Sequence, residues 1–292
     1  MKTLEGDLGF SYKIRRPVVA GTFYEGSKES LNNQIIGCFT HPLGPGSVPV
    51  ASPSGPREII ALVCPHAGYM YSGPVASHAY ASLAKDGRPE AFVLLGPNHQ
   101  GIGSGVSIMT RGLWRTPLGD AAIDAQLADK ILGASDIIDS DEEGHRLEHS
   151  LEVQLPFLQY LYGTVKIVPI SFLLQDLETA RDVGKALADA LRDYNAVIIA
   201  STDLTHYEPQ KSAQKKDGFV IEAIKALDEA FLFEAIERYG ISICGPAPVA
   251  AAITASKLLG AKRANILCYR TSGDVIGDYS SVVGYLAAEC RR

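Results

Sequence analysis

The chain lacks the features that mark several common classes of protein. Among its 292 residues, no apolar run approaches the roughly 20 residues needed to cross a bilayer. The start, Met1 to Asp7, has no apolar core of the kind found in signal peptides. The formal net charge of −6 offers no basic stripe for neutralising phosphates. We therefore expect a cytoplasmic protein whose partner is neither a membrane nor a nucleic acid.

Cysteine is present but not in a pattern that indicates cross-linking. The chain has five cysteines, an odd number, and none of them forms a CxxC pair. A disulfide framework usually needs an even set at regular spacings, so we expect reduced thiols. The cysteines are Cys38, Cys64, Cys244, Cys268 and Cys290.

The pattern of apolar residues predicts one α/β domain over residues 1–292, interrupted by a surface loop at about residues 41–57 that is rich in Pro, Gly and Ser. Short apolar runs alternate with amphipathic segments, which is typical of a central, largely parallel or mixed sheet flanked by helices. The runs are nearly continuous in Val, Ile and Leu, so both faces of their strands should be covered. The predicted strands are 59–64, 92–95, 165–170, 197–200, 266–269 and 282–286. The predicted helices are a short one before the loop and segments around 74–84, 121–133, 147–161, 176–193, 217–238 and 247–259.

Three of the predicted strands run directly into loops that carry a histidine. Ligands of open α/β sheets bind beyond the carboxyl ends of the strands, so these loops should converge on one site. A single histidine at a strand end is more often a structural residue, but three together favour a functional site. Nearby Gly and Pro residues permit tight turns and close approach of the backbone. The histidines are His66 in LVCPHAGY (62–69), His99 in VLLGPNHQ (93–100) and His206 in IIASTDLTH (198–206).

Cys244 lies just before a helix predicted to begin near Pro246. One interpretation is a small buried apolar side chain. The alternative is a metal ligand or nucleophile, because the amino end of a helix lowers the pKa of a thiol. The sequence leaves both interpretations open.

A second polar cluster, residues 141–152, has two interpretations. On a helix, His145 and His149 would share one face, and Glu148 and Glu152 another, because each pair is four residues apart. The order His145-x-x-Glu148-His149 matches the inverted zinc-protease motif. The alternative is the charged start of a solvated helix, with its acidic residues placed favourably in the helix dipole.

Taken together, eight short motifs resemble the Memo family, whose prokaryotic branch is labelled AmmeMemoRadiSam system protein B. They occur in family order from about residue 14 to residue 287, so the resemblance covers nearly the whole chain. The motifs are Gly21 to Tyr24, Pro65 to Tyr69, Gly96 to His99, Trp114 to Gly119, Glu148-His149-Ser150-x-Glu152, Ser201-Thr202-Asp203-x-x-His206, Ile243 to Gly245 and Ser272 to Asp274.

The resemblance implies a fold related to the class III extradiol dioxygenases, non-haem iron enzymes that open catechol-type rings. It also implies a metal site with His66, His99 and Cys244 as ligands, and with Asp203 and His206 in the same pocket. The dioxygenases use two histidines and a carboxylate. A thiolate in place of the carboxylate also suits copper(I) or zinc, so we expect Fe(II) or copper as the cofactor, with zinc as the alternative.

Three functions follow as hypotheses. In the first, the chain is a metal-dependent dioxygenase-like oxidoreductase that acts on a small molecule, with His206 as acid/base oriented by Asp203. In the second, it is a non-catalytic scaffold that binds a peptide in the same pocket, with Arg115 and Lys166 as the nearby cations. In the third, it is a hydrolase that uses either a Cys244–His206 pair or zinc held by His145 and His149.

Overall fold

The chain folds around one mixed sheet, as described by a computed structural model over residues 13–292. Within residues 13–292 the strands are β1 (Ile14–Arg15), β2 (Ile59–Cys64), β3 (Ala91–Pro97), β4 (Val106–Ile108), β5 (Leu113–Thr116), β6 (Gly119–Ile123), β7 (Asp139–Ser140), β8 (Lys166–Phe172), β9 (Ala196–Ser201), β10 (His206–Glu208), β11 (Arg263–Thr271) and β12 (Val282–Arg291). Their main order in the sheet is β1-β5-β6-β8-β3-β9-β2-β12-β10. β11 pairs with β12, and β4 pairs with both β7 and β8.

The centre of the sheet is parallel. β8, β3, β9 and β2 lie side by side in that order and pair in parallel, whereas β12 closes this core as an antiparallel neighbour of β2. These four strands are almost entirely buried, which explains why their sequences are continuous apolar runs instead of alternating ones. The predicted fold class is confirmed.

Helices cover both faces of this core. Over the described residues they are α1 (Lys28–Thr40), α2 (Tyr69–Lys85), α3 (Ala125–Leu132), α4 (Glu143–Arg146), α5 (Leu155–Tyr162), α6 (Leu177–Leu191), α7 (Gln210–Ala226), α8 (Glu229–Tyr239), α9 (Pro246–Leu258) and α10 (Ser272–Ile276). None of these helices is apolar over a length that would cross a membrane.

Two helical layers sandwich the sheet. α2 packs on β2 with α1 and α5 beside it, whereas α9 packs on β2, β3 and β9 with α6 and α8 behind it. Every residue of β2 is buried, and successive side chains of a strand point to opposite faces, so the two groups of helices cover opposite sides. The Pro-rich segment at 41–58 contains neither helix nor strand.

Five of the six predicted strands are longer in the structure, and three predicted helices differ from it. The segment predicted around 217–238 is two helices, α7 and α8, because Leu227 adopts a left-handed conformation (φ 53°) and Asp228 then caps α8. The segment predicted around 121–133 begins as strand β6, and its helix starts only after the cap at Asp124. The short strands at the rim of the sheet were not predicted.

The segment predicted as a helix around 147–161 is irregular at its start. α4 ends at Arg146, a 3-10 turn spans Glu152–Gln154, and α5 starts at Leu155. The carboxylates of Glu148 and Glu152 accept hydrogen bonds from backbone N–H groups, some of them in distant segments, and this competes with regular helix formation. The expected sharing of helix faces by His145 with His149, and by Glu148 with Glu152, is therefore wrong.

Candidate metal centre

The three histidine loops leave the sheet at one edge. β3, β9 and β2 are adjacent and parallel, so their carboxyl ends point the same way. His66 lies two residues beyond β2, His99 two residues beyond β3, and Asp203 two residues beyond β9. The close approach of the loops needs a glycine, since a Cβ on Gly96 would lie 2.6 Å from Ser150 Oγ.

His66, His99 and Cys244 come together at this edge. One ligand atom from each lies within 4.8 Å of the other two, a grouping that suits a metal ion. His66 Nε2 is 3.2 Å from Cys244 Sγ, and the ring centroids of His66 and His99 are 5.2 Å apart. The structure thus brings together the three residues that the resemblance implied as ligands.

The hydrogen bonds around His66 fix which ring nitrogen carries the proton. Its Nδ1 is 2.9 Å from Ser201 Oγ, and that hydroxyl donates its only proton to the carbonyl oxygen of Ser150 at 2.7 Å. The hydroxyl can therefore only accept from His66, so Nδ1 is protonated and the lone pair of Nε2 faces Cys244. Burial lowers the pKa of His66 well below its ordinary value, which favours the neutral form that binds metal.

His99 is fixed in the same sense by Glu148. The His99 ring Nδ1 donates to Glu148 Oε1 at 2.9 Å, and the backbone N–H of His99 donates to the other carboxylate oxygen. Burial raises the pKa of Glu148, but the hydrogen bond and charge of His99, the charge of His149 and the N–H of Ser150 outweigh it and lower the pKa to about 2. In the neutral His99 ring the proton on Nδ1 points at this carboxylate and the lone pair is on Nε2, an arrangement found in many metal-bound histidines.

Cys244 lies two residues before α9, with Gly245 as the N-cap. The backbone N–H of Asp203 donates to its Sγ at 3.1 Å. Burial, helped by the charge of Asp203, raises the pKa of this thiol. Of the two interpretations that the sequence left open, the raised pKa disfavours a free thiolate nucleophile.

Asp203 and His206 both line the pocket, but Asp203 does not orient His206. The His206 ring Nδ1 donates to the backbone carbonyl of Ser242 at 2.8 Å, which leaves its Nε2 lone pair free. Asp203 instead accepts the backbone N–H of His66 at 2.8 Å. Burial raises the pKa of Asp203 to about 6.

His66, His99, Asp203 and His206 line a cavity of about 380 Å³. Four Phe and Tyr side chains also line it, and the side chains of Met70 and Tyr207 in its lining are exposed. The volume lies in the range of small-molecule sites. The cavity is lined by Thr22, Phe23, His66, Ala67, Gly68, Met70, Tyr71, His99, His149, Asp203, His206, Tyr207, Val283 and Tyr285.

The residues of two other hypotheses lie apart from this cavity. His145 is fully buried, and its Nε2 is 3.0 Å from the carbonyl of Ser107 instead of sharing a site with His149. Arg115 pairs with Asp120 on the surface, and the exposed Lys166 pairs with Asp124. Neither the zinc-protease motif nor the predicted cation pair is assembled.

A second group of potential ligands consists of His99, Glu148 and His149. Glu148 Oε1 already accepts from His99 Nδ1 and from the backbone N–H groups of His149 and Ser150, at 2.8–2.9 Å. Its other oxygen accepts the N–H of His99. Oε1 is therefore saturated with donors, whereas Oε2 keeps one acceptor site, and through these bonds Glu148 orients its neighbours.

Sequence reasoning gave no role to several residues of the site. Glu148 and His149 were singled out in the cluster at 141–152, but their partners were not identifiable. The positions of Ser201 and Ser242 behind His66 and His206 also were not predicted. The one available signal was the Glu148-His149-Ser150-x-Glu152 motif, in which both glutamates prove to be fully buried.

Comparisons with known proteins identify the family of the chain. The family model of Memo-like protein matches residues 15–289. A MEMO1 family protein of Methanopyrus kandleri is 53% identical over 281 residues, covering 95% of this chain and 99% of the relative. A second, from Methanothermobacter thermautotrophicus, is 50% identical over 274 residues, covering 93% and 98%.

A solved structure shows the same fold at low sequence similarity. The uncharacterized protein JW3007 from Escherichia coli K12 superposes with a TM-score of 0.56 at 16% identity. The match covers 79% of this chain and 99% of that one. At this identity the likeness concerns the fold alone.

Proposed function

The chain belongs to the Memo family, and from that premise and the geometry of the pocket we propose that it is a metal-dependent, dioxygenase-like oxidoreductase. His66, His99 and Cys244 would hold a single Fe(II) or copper ion. The observation that supports this most is the grouping of three potential ligand atoms within 4.8 Å of one another, two of them on imidazole rings that are held by Ser201 or Glu148. Two nitrogens and a sulfur form a donor set that suits iron, copper or zinc.

The residues present fit such an ion. His66 favours the neutral form because it is buried, and the N–H of Asp203 already points at the sulfur of Cys244. Binding an ion would displace the thiol proton, so affinity should fall at low pH. A donor set of three would leave a bound ion able to take a further ligand.

When bound, iron or copper supplies redox chemistry that amino-acid side chains cannot provide. The chain itself contributes three things. Its cavity holds a small organic substrate beside aromatic side chains, its buried loops fix the ligands, and the neutral His206 ring, with its proton on Nδ1, offers Nε2 as the acceptor of a substrate proton. The half-buried His206 lies at the start of β10, where Ser242 fixes its orientation.

The first experiment measures metal content and affinity. Protein purified anaerobically should bind one equivalent of Fe(II) or Cu(I), and His66→Ala, His99→Ala or Cys244→Ser should each lower the affinity at least tenfold. Cys268→Ser is the matched control, because this buried cysteine lies on β11 outside the pocket. Competition among Fe(II), Cu(I) and zinc would then rank the metals.

The second experiment addresses catalysis. Oxygen uptake by the loaded protein is measured with a panel of catechol-type substrates, and His206→Gln should reduce turnover more than it reduces metal affinity. If none of the three metals binds stoichiometrically, or if binding is unchanged by Cys244→Ser, the proposal is wrong. Binding without oxygen uptake would leave a metal-binding protein without this activity.

We propose a small molecule as the natural ligand because of the size of the cavity. A peptide remains the alternative, since the exposed Tyr207 and Met70 could contact a longer chain at the mouth. Retention of a captured peptide partner by the His66→Ala and Cys244→Ser variants would favour the scaffold function over the enzymatic one.

A further inference from the structure

Gln154 is a buried amide to which the proposed function gives no role. It lies at the end of the 3-10 turn before α5 and is only 1% exposed. Its Nε2 donates to the backbone carbonyl of Pro65 at 3.0 Å and to Ser201 Oγ at 2.8 Å, and its Oε1 accepts the hydroxyl of Tyr80 at 2.6 Å. Burying an amide is costly unless its hydrogen bonds are made, so these three partners hold the side chain in one position.

The orientation of this amide follows from its partners. The carbonyl of Pro65 can only accept, so the Nε2 end of Gln154 must point at it. The hydroxyl of Tyr80 meets the Oε1 end. With the amide turned the other way round, two oxygens would face each other at Pro65. The group of Gln154 that reaches Ser201 is therefore fixed as a donor.

The donor from Gln154 restricts what the hydroxyl of Ser201 can do. A serine hydroxyl has one proton and two lone pairs. Gln154 donates to one lone pair, and the proton goes to the carbonyl oxygen of Ser150 at 2.7 Å. The remaining lone pair accepts from His66 Nδ1 at 2.9 Å. The alternative form of His66 would turn an Nε2 proton towards Cys244 Sγ, 3.2 Å away, and would remove the lone pair that a metal needs.

Gln154 also holds His66 through the main chain. Pro65 directly precedes His66, and the carbonyl of Pro65 is bonded to the same Nε2 group that bonds Ser201. One amide thus fixes the backbone of the ligand residue on one side and its ring nitrogen on the other. Metal ligands need such support, because affinity depends on how firmly their orientation is held.

We infer that Gln154 is a positioning residue for the candidate metal ligand His66, acting through Ser201 and Pro65, and that Tyr80 orients it in turn. This inference rests on the proposed metal site. Gln154 is not among the described residues that line the cavity. A substitution at this position can therefore change metal binding only by altering the residues that Gln154 holds.

The first test compares two buried glutamines. Gln159 is the matched control, since it is also buried and bonds Thr116 and the carbonyl of Gly119 outside the cavity. In competition with a chelator, Gln154→Leu should weaken Fe(II) or Cu(I) binding about tenfold because two hydrogen bonds around His66 are lost, whereas Gln159→Leu should stay within about twofold of the unaltered protein. Urea denaturation shows whether both variants are folded. Equal metal affinity in the two variants would overturn the inference.

A double-variant cycle tests the route through Ser201. Ser201→Ala and Gln154→Leu remove the same hydrogen bond, so their combined loss of metal affinity should be clearly smaller than the product of the two single losses. Losses that simply multiply would overturn this route. Tyr80→Phe is the milder variant in case Gln154→Leu does not fold. It should weaken metal binding about threefold, and unchanged binding would overturn the role of Tyr80.

A measurement on the metal-free protein separates this inference from the proposed function. NMR spectra of protein labelled with ¹⁵N in its histidines show which ring nitrogen carries the proton, and His66→Ala identifies the signals of His66. We expect the proton on Nδ1 in the unaltered protein and in Gln159→Leu, and a measurable fraction with the proton on Nε2 in Gln154→Leu. An unchanged His66 ring in Gln154→Leu would overturn the route through Ser201. If the unaltered protein binds no metal, the proposed function fails, and these spectra then decide by themselves whether Gln154 positions the ring.

Discussion

Two glutamates four residues apart have different structural roles in this molecule. Glu148 and Glu152 are both completely buried, and both accept several hydrogen bonds. Glu152 receives them from Arg15, from the backbone of Val18 and Val19 and from the hydroxyl of Tyr24, all in the N-terminal segment. Glu148 receives them from His99 and from its own loop.

The two carboxylates differ in whether the groups that surround them face a cavity. The cluster of Glu152 and Arg15 is closed, since the guanidinium also bonds the carbonyls of His145 and Glu148 and packs on Trp114 at 4.3 Å. The cluster of Glu148 turns two imidazole rings towards a cavity. Burial and hydrogen bonding alone therefore do not mark a functional site; uncommitted donor or acceptor atoms facing a cavity do.

The largest expected effect comes from breaking the closed cluster. Glu152→Gln leaves the buried charge of Arg15 uncompensated, and it should lower the free energy of unfolding by about 3–5 kcal/mol. Urea denaturation measures this. The double variant Arg15→Met/Glu152→Gln removes the stranded charge and should be more stable than Glu152→Gln. If Glu152→Gln instead left stability unchanged and abolished metal binding, the assigned roles of the two glutamates would be reversed.

The second effect is the pH dependence contributed by Glu148. Its pKa in the folded state, about 2, lies below the ordinary value of 4.5. Its stabilising contribution, roughly 3 kcal/mol, is thus complete above about pH 4.5 and is lost as the pH falls towards 2. The stability difference between the metal-free protein and Glu148→Gln should shrink over this range.

Asp203 should contribute a pH dependence of stability that is opposite in sign to that of Glu148. Because burial raises its folded pKa to about 6, the stability it contributes as the protonated acid is present below about pH 4 and is lost as the pH rises through 6. In the metal-free Asp203→Asn variant, this fall in stability as the pH rises through 6 should be absent. A profile identical to that of the unaltered protein would contradict the assigned shift.

The third effect concerns metal affinity. Glu148→Gln weakens the acceptor behind His99, so metal affinity should fall about 10- to 100-fold, as is usual when a partner behind a ligand is changed. Competition with a chelator measures the dissociation constant. Tyr24→Phe, which removes a donor to Glu152 alone, serves as the control and should not change this constant.

The smallest expected effect is the change in stability caused by Tyr24→Phe. Tyr24→Phe removes one of several donors to Glu152, and it should lower the free energy of unfolding by about 1 kcal/mol. The carboxylate keeps the guanidinium of Arg15 and two backbone N–H groups. A loss as large as that of Glu152→Gln would mean that the closed cluster depends on every one of its donors.

Much of the fold and part of the site were predictable because they rest on local patterns. The buried strands β2, β3 and β9 appear in the sequence as continuous apolar runs, and His66, His99 and Asp203 follow them at short fixed distances. The geometry of a parallel sheet then brings those ends together. The irregular start of the segment at 147–162 was not predictable, because its cause is hydrogen bonding to segments far away in the chain.

The sequence by itself determined the α/β class through its apolar pattern and the family through its short motifs, and the candidate ligands followed from that resemblance. Only the tertiary structure decided which nitrogen of each imidazole is free, that Ser242 instead of Asp203 orients His206, and that two similar glutamates serve different clusters. These outcomes depend on partners far apart in the chain, such as Ser201 behind His66, which are 135 residues apart. A proton's position follows from the completed set of donors and acceptors around it, and that set exists only in the folded chain.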